Sequence, residues 1–143
     1  MRLFATVSLV AAVLAGTLGT ADAGAGEPSV RIREVTLNAD VQLDAATVRT
    51  ALGEELAGVA STVRGTKRAN LSVRVSRAVG VDGNVEYVVS AVVEDARTSN
   101  LLGMLEGRAR TNAATTTKSD ARERLMLKGA AHGALVNLPG ILR

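Results

Sequence analysis

The chain has no cysteine and no tryptophan, and in 143 residues it carries one tyrosine, one phenylalanine and two prolines. Without thiols there can be no disulfide, no thiolate-held zinc or iron–sulfur site and no cysteine for a lipid anchor. So few aromatic rings leave no platform for stacking bases or sugars, which argues against single-stranded nucleic-acid binding and a carbohydrate cleft. The single histidine, His132, has neither a second imidazole nor a cysteine to complete a metal site or a nucleophile–base pair. Charge of one sign is thin as well. Seventeen Lys and Arg against 14 Asp and Glu leave a net charge of +3, and the pI of 9.9 leans only mildly towards acidic partners.

Glycine-rich phosphate loops are missing too. The carboxylates Glu94, Asp95 and Glu106 lie near strand ends, but no nucleophile, base and orienting group converge on them. The expectation is therefore a non-enzyme with no catalytic residue, no metal site and no cofactor.

The one long apolar run, Leu3 to Leu18, follows Met1-Arg2 and precedes Ala21-Asp22-Ala23. Positive start, apolar middle and small-residue exit are the three parts of a secretory signal, and the run is short for the ~20 residues of a membrane span. Residues 1–23 are thus expected to be a signal peptide cut after Ala23, which places the chain in the periplasm or outside the cell. No transmembrane segment is expected after cleavage. Residues 24–29 read as a flexible lead-in and 30–143 as one α+β domain.

Within that domain, Val30 to Leu37 reads as a strand whose apolar residues change parity between Ile32 and Val35. Side chains alternate faces along a strand, so the switch calls for a bulge near Arg33-Glu34. Asp44 is placed to cap a helix running to about Val63, with Ala45, Val48, Leu52, Leu56, Val59 and Val63 on one face. Leu71, Val73, Val75, Val79 and Val81 alternate with polar residues as a second strand. Arg77 falls on the apolar parity, which wants a bulge, an overhang or an inward cation with an anion.

A turn at Asp82–Asn84, with Gly83 supplying positive φ, would set Val81 opposite Val85 and Val75 opposite Ala91. Val85 to Asp95 and Leu101 to Arg110 form the next hairpin. Its preferred register sets Val89 against Gly107 and Val93 against Gly103, with Glu86 opposite Arg110 as a charge pair. The two glycines would let a helix approach the sheet. Asp120 and Glu123 have capping-box spacing ahead of a final helix with the stripe Leu127, Ala130, Ala131, Ala134, Leu135 and Leu138. Pro139 ends it, and Ile141 and Leu142 fold back. The predicted architecture is a two-layer α+β sandwich of order β-α-β-β-β-α, a mostly antiparallel four-stranded sheet with two helices on one face.

Two surfaces emerge as candidates. Val88, Val92, Leu102 and Met104 would cluster on the open face of the sheet, rimmed by charges that include Arg108 and Arg110, as at an interface. Arg64, Lys67 and Arg68 share a basic loop that, with Lys118, Arg122, Arg124 and Lys128, could meet an anion or an anionic envelope lipid.

The hairpin from Val88 to Gly103, with Asp95, Thr98 and Asn100 in its turn and an Ala-rich helix after it, resembles small periplasmic α+β modules of bacterial envelope proteins. Among these are the amino-terminal module of the TolB translocation protein and the curli-secretion lipoproteins. The chain also resembles small exported proteins of GC-rich bacteria. The likeness implies an assembly or binding part without catalytic residues. The reading is an exported domain that binds an envelope protein, or itself, through the open sheet face. The alternative is an anion- or lipid-binding protein using loop 64–68 and the last helix, and an enzyme is a distant third.

Overall fold

The computed structural model describes residues 29–63, 67–111 and 120–143. The segment expected to be a signal peptide, with its expected cleavage after Ala23, lies outside the described residues, as do Arg64 and Lys118. The order is β1 (Val30–Leu37), α1 (Ala45–Ala60), β2 (Ala69–Val79), β3 (Val85–Asp95), β4 (Leu101–Arg110), α2 (Asp120–Leu135) and a short turn of helix, α3 (Leu138–Ile141). The sheet runs β1-β2-β3-β4, with β1 parallel to β2 through the α1 crossover and the other pairs antiparallel. The chain is α+β, with both long helices on one face of the sheet.

Local chemistry sets the boundaries. The Asp44 carboxylate accepts the Thr47 backbone N–H at 2.7 Å and the Thr47 hydroxyl at 2.9 Å, satisfying a donor that the first helical turn leaves open. α1 ends at Ala60, three residues short of the stripe's apparent end, where Ser61 and Thr62 turn back onto the Ala57 and Val59 carbonyls. In β1, Ile32 pairs with Leu71 and Glu34 with Ser72, so Arg33 is the extra residue. That bulge returns Val35 and Leu37 to the core side, as the parity switch demands.

The β2–β3 register departs from expectation. Val75 pairs with Val89 and Val79 with Val85, two residues away from the predicted pairing. The loop is Gly80–Asn84, closed by the Gly80 N–H on the Asn84 carbonyl at 2.8 Å, and it leaves Val81 fully exposed at its tip. Gly83 does take positive φ, 77°. A slip of two preserves which face each side chain occupies, so pattern alone cannot detect it.

The β3–β4 pairing matches: Val89 faces Gly107 and Val93 faces Gly103. A Cβ on Gly107 would land on backbone atoms of Ala130, Gly133 and Ala134, so α2 rests directly on β4 there. A Cβ on Gly103 would come 2.8 Å from Ile141 Cδ1, which fills the second gap from α3. The aliphatic stripe of α2 is buried throughout, and Leu127 and Leu135 each contribute about 2 kcal/mol by the usual value for a buried leucine. Leu138 is buried as the first residue of α3 rather than the last of α2, and Leu142 folds back into the core.

Gly107→Ala should therefore cost at least about 3 kcal/mol, the upper range for overpacking, because backbone cannot move aside as a side chain can. Gly53→Ala on the exposed side of α1 meets nothing within 4 Å and should stabilise by up to ~1 kcal/mol. Urea unfolding of the two variants measures both, and a Gly107→Ala protein as stable as the parent would disprove the seating of α2.

Candidate functional site

The open face of the sheet is built from the even-numbered residues of β3, those of β4 from Met104 onward with Leu101 before them, and the matching positions of β2 and β1. Along β3 it carries Glu86, Val88, Ser90, Val92 and Glu94, and opposite them on β4 lie Arg110, Arg108, Glu106, Met104 and Leu101. Val88 and Val92 are half-buried by their neighbours, whereas Met104 is 71% exposed. Leu102 is a correction to the predicted set. The register shifts between Val93 and Glu94, which pairs Glu94 with Leu101 and leaves Leu102 as the bulged residue. The bulge reverses its parity, so Leu102 packs against the core and Leu101, 63% exposed, stands opposite Glu94. The apolar cluster is therefore Val92, Leu101 and Met104 at the hairpin end, with Val88 further along.

Charges border this cluster. Arg108 donates to Glu106 at 2.8 Å and approaches Glu86 at 3.9 Å, while Arg110 reaches Asp82 at 2.8 Å. Glu86 does lie opposite Arg110 in register, but the Arg110 guanidinium goes to the turn instead, and Glu86 meets Arg108 on the diagonal. Beyond the hairpin the Asp95 carboxylate accepts the Arg97 and Thr98 N–H groups at 2.8 and 2.9 Å. These bonds hold Asp95 below the ordinary carboxylate range. Ser99 takes a φ of 58°. The Asp95–Asn100 sequence of that turn is thus accounted for by turn chemistry.

A second cluster is buried. Arg77 and Glu123 are 7% and 8% exposed, and the guanidinium donates to both carboxylate oxygens of Glu123 at 3.2–3.3 Å. The Tyr87 hydroxyl donates to Glu123 Oε2. Asn38 at the end of β1 brackets the Arg77 backbone, accepting its N–H at 3.2 Å. Arg77 is therefore the inward cation, β2 runs past it without a bulge, and its anion comes from α2. Glu123 turns to the core rather than back to cap its own helix. The sequence signal was present: Glu123 lies on the stripe of Leu127, Ala130 and Ala134, so opposite charges occupied the buried sides of two elements.

Burial, then the hydrogen bond and charge of Glu123, push the Tyr87 phenol well above its ordinary range, partly offset by Arg77.

Of the predicted basic residues, Lys67, Arg68, Arg122, Arg124 and Lys128 lie among the described residues. Lys67 donates to the Arg143 carbonyl at 2.6 Å, and Lys128 pairs with Glu54 at 2.7 Å across the α1–α2 seam. Arg68 lies on the surface before β2 with its carbonyl taken by the Ala96 N–H. Grooves along the seam are lined by Thr47, Thr50, Glu54, Arg124 and Lys128, and farther along by Glu55, Val59, His132 and Val136. His132 is exposed, with Nδ1 3.4 Å from Glu55. Among the described residues no group of three or more His, Cys, Asp or Glu could hold a metal ion. No helix among them is long and apolar enough to cross a membrane.

No protein-family profile and no curated protein matches the chain. Among solved structures it is similar to a candidate lipoprotein of Caulobacter crescentus at 19% identity and a TM-score of 0.45, covering 80% of this chain and 88% of that one. It is also similar to a minor lipoprotein of Acinetobacter baumannii at 12% identity and a TM-score of 0.43, covering 81% and 91%. Neither bears a translocation or curli-secretion name.

The buried cluster makes two predictions. Tyr87 is the only tyrosine, so absorbance near 295 nm reports it alone. Its raised folded pKa means that its share of stability is complete below the unfolded value of about 10 and is lost as pH rises above it. The phenolate band should stay absent in the native protein at pH values where a free tyrosine has ionised, and appear together with unfolding. Glu123→Leu alone should cost about 3–5 kcal/mol by stranding Arg77, whereas Arg77→Met with Glu123→Leu should recover most of it. If the two charges did not interact, urea unfolding would show the double variant losing the sum of the two single-variant losses.

Proposed function

We propose that the chain is an exported, non-enzymatic domain of the bacterial envelope that binds a protein partner, or itself, through the open face of its sheet. The observation that supports this most is the exposure of Leu101 and Met104 beside half-buried Val88 and Val92, on the side of the sheet opposite both helices. An apolar cluster bordered by charge is the surface pattern of interfaces, with the energy concentrated in a few side chains and specificity in the rim. Arg108 and Arg110 supply that rim, Arg108 paired with Glu106 on the face and Arg110 with Asp82 at the β2–β3 turn. Export rests on the N-terminal sequence pattern.

Leu125 on α2 provides a matched control, because it is 72% exposed and Met104 71%, yet it lies on the opposite layer. Met104→Lys should abolish association of the mature chain, read by light scattering for self-association and by pull-down from the periplasm for a partner. Leu125→Lys should leave association unchanged. Equal behaviour of the two variants would refute the sheet-face reading, as would a monomer that only sediments with anionic vesicles at low salt.

A further inference from the structure

The two edges of the sheet are defended differently. β1 has eight residues and a bulge in mid-strand at Arg33, both features that discourage a further strand. β4 pairs continuously from Gly103 to Arg110 and contains neither proline nor lysine; its only irregularity is at the hairpin end. The Thr111 N–H donates to the Val85 carbonyl at 2.9 Å. Antiparallel alternation then turns the backbone groups of Leu105, Gly107 and Ala109 towards β3, and those of Met104, Glu106, Arg108 and Arg110 outwards. Among the described residues no strand lies beyond them.

We propose that this edge takes up an extended segment of a partner polypeptide as a fifth strand, with an apolar side chain opposite Met104 and carboxylates opposite Arg108 and Arg110. The inference rests on the partner-binding reading above and specifies how the partner is held. Main-chain hydrogen bonds supply affinity in such strand addition, and alternate side chains supply specificity. The outward backbone and the open-face side chains belong to the same four residues, so one strand engages both. Both guanidinium groups are more than half exposed despite their ion pairs, leaving donors for a further carboxylate. Where α2 crosses β4 it presents Gly129, whose added Cβ would meet Ala109 Cβ at 3.6 Å, and Gly133 over Gly107, so the overhang there carries no side chain.

A second copy fits the edge less well. Pairing β4 with itself so that Glu106 meets Arg108 in both directions centres the pair on Gly107, where α2 sits. Strands roughly 4.8 Å apart would then carry helices that need about 8–10 Å between axes. Centring on Glu106 instead opposes Glu106 to its own copy.

The probe is a synthetic peptide copying residues 86–94 with Val88→Glu; laid against β4 in the register that β3 uses, it sets carboxylates opposite Arg110 and Arg108 and a valine opposite Met104. Adding it to the labelled mature chain should slow amide exchange at Met104, Glu106, Arg108 and Arg110 by about tenfold or more, a shift of ~1.4 kcal/mol. Glu106→Pro removes one outward N–H while leaving the β3 ladder intact, and should abolish the protection. Circular dichroism checks that this variant folds, and a peptide N-methylated at alternate residues, expected not to bind, makes the same test without any mutation. No protection of these four amides, or equal protection by the N-methylated peptide, overturns the inference. A dimer lost on Glu106→Pro also overturns it, because the occupant is then a second copy. Association that survives Glu106→Pro but not Met104→Lys removes the fifth strand while leaving the sheet-face reading standing.

Discussion

The arrangement depends on the contact between the backbone of α2 and Gly107 of β4. With only one aromatic ring in the core, the space between the layers is filled by Val, Leu and Ala, and short side chains close it only if helix and sheet approach tightly. Gly107 makes that approach at the edge strand, with Gly133 facing it from the helix. Val89 lies beside Gly107 in the ladder, so a larger side chain occupies the sheet next to the missing one. Seating α2 over β3 and β4 and α1 over β1 commits one side of the sheet to the core, and among the described residues no helix covers the other.

The buried Arg77–Glu123–Tyr87 group completes the polar end of that interface. Desolvating two charges is expensive, and their attraction repays it only with close geometry and further hydrogen bonds. Here both carboxylate oxygens receive donors, from Arg77 and from Tyr87. The cluster ties the first turn of α2 to two strands, fixing where the helix begins while Gly107 fixes how deeply it sits. An apolar substitute would fill the volume without specifying which helical turn faces which strand.

Much of this was legible in the sequence where a rule has only one solution. The parity switch in β1 required a bulge, and the glycines of β4 required a register and a close helix. Asp44 ahead of an apolar stripe required a helix start. Legibility failed where two solutions share a pattern. Gly80 and Gly83 both permit a turn, and a two-residue slip keeps every side chain on its face, so the β2–β3 loop was read too short. Glu123 satisfied a capping box and a buried ion pair equally well on spacing. On the open face of the sheet, alternation places Val88, Val92, Met104, Arg108 and Arg110, but the bulge at Leu102 exchanges it for Leu101. The contacts of the basic residues were not legible, because local spacing cannot show that Lys67 meets Arg143 and Lys128 meets Glu54, pairings made only by tertiary packing.

These constraints divide the molecule into a helical layer engaged in its own seam and a sheet whose other face and β4 edge are uncovered among the described residues. The central claim is that the sheet side, not the helical side, meets the partner. Site-specific photo-crosslinking in the intact cell envelope tests it most directly, with the photoreactive residue at Met104 in one variant and at Leu125 in the other. The account predicts a discrete adduct from Met104 and none from Leu125. An adduct from Leu125 with none from Met104 would contradict it.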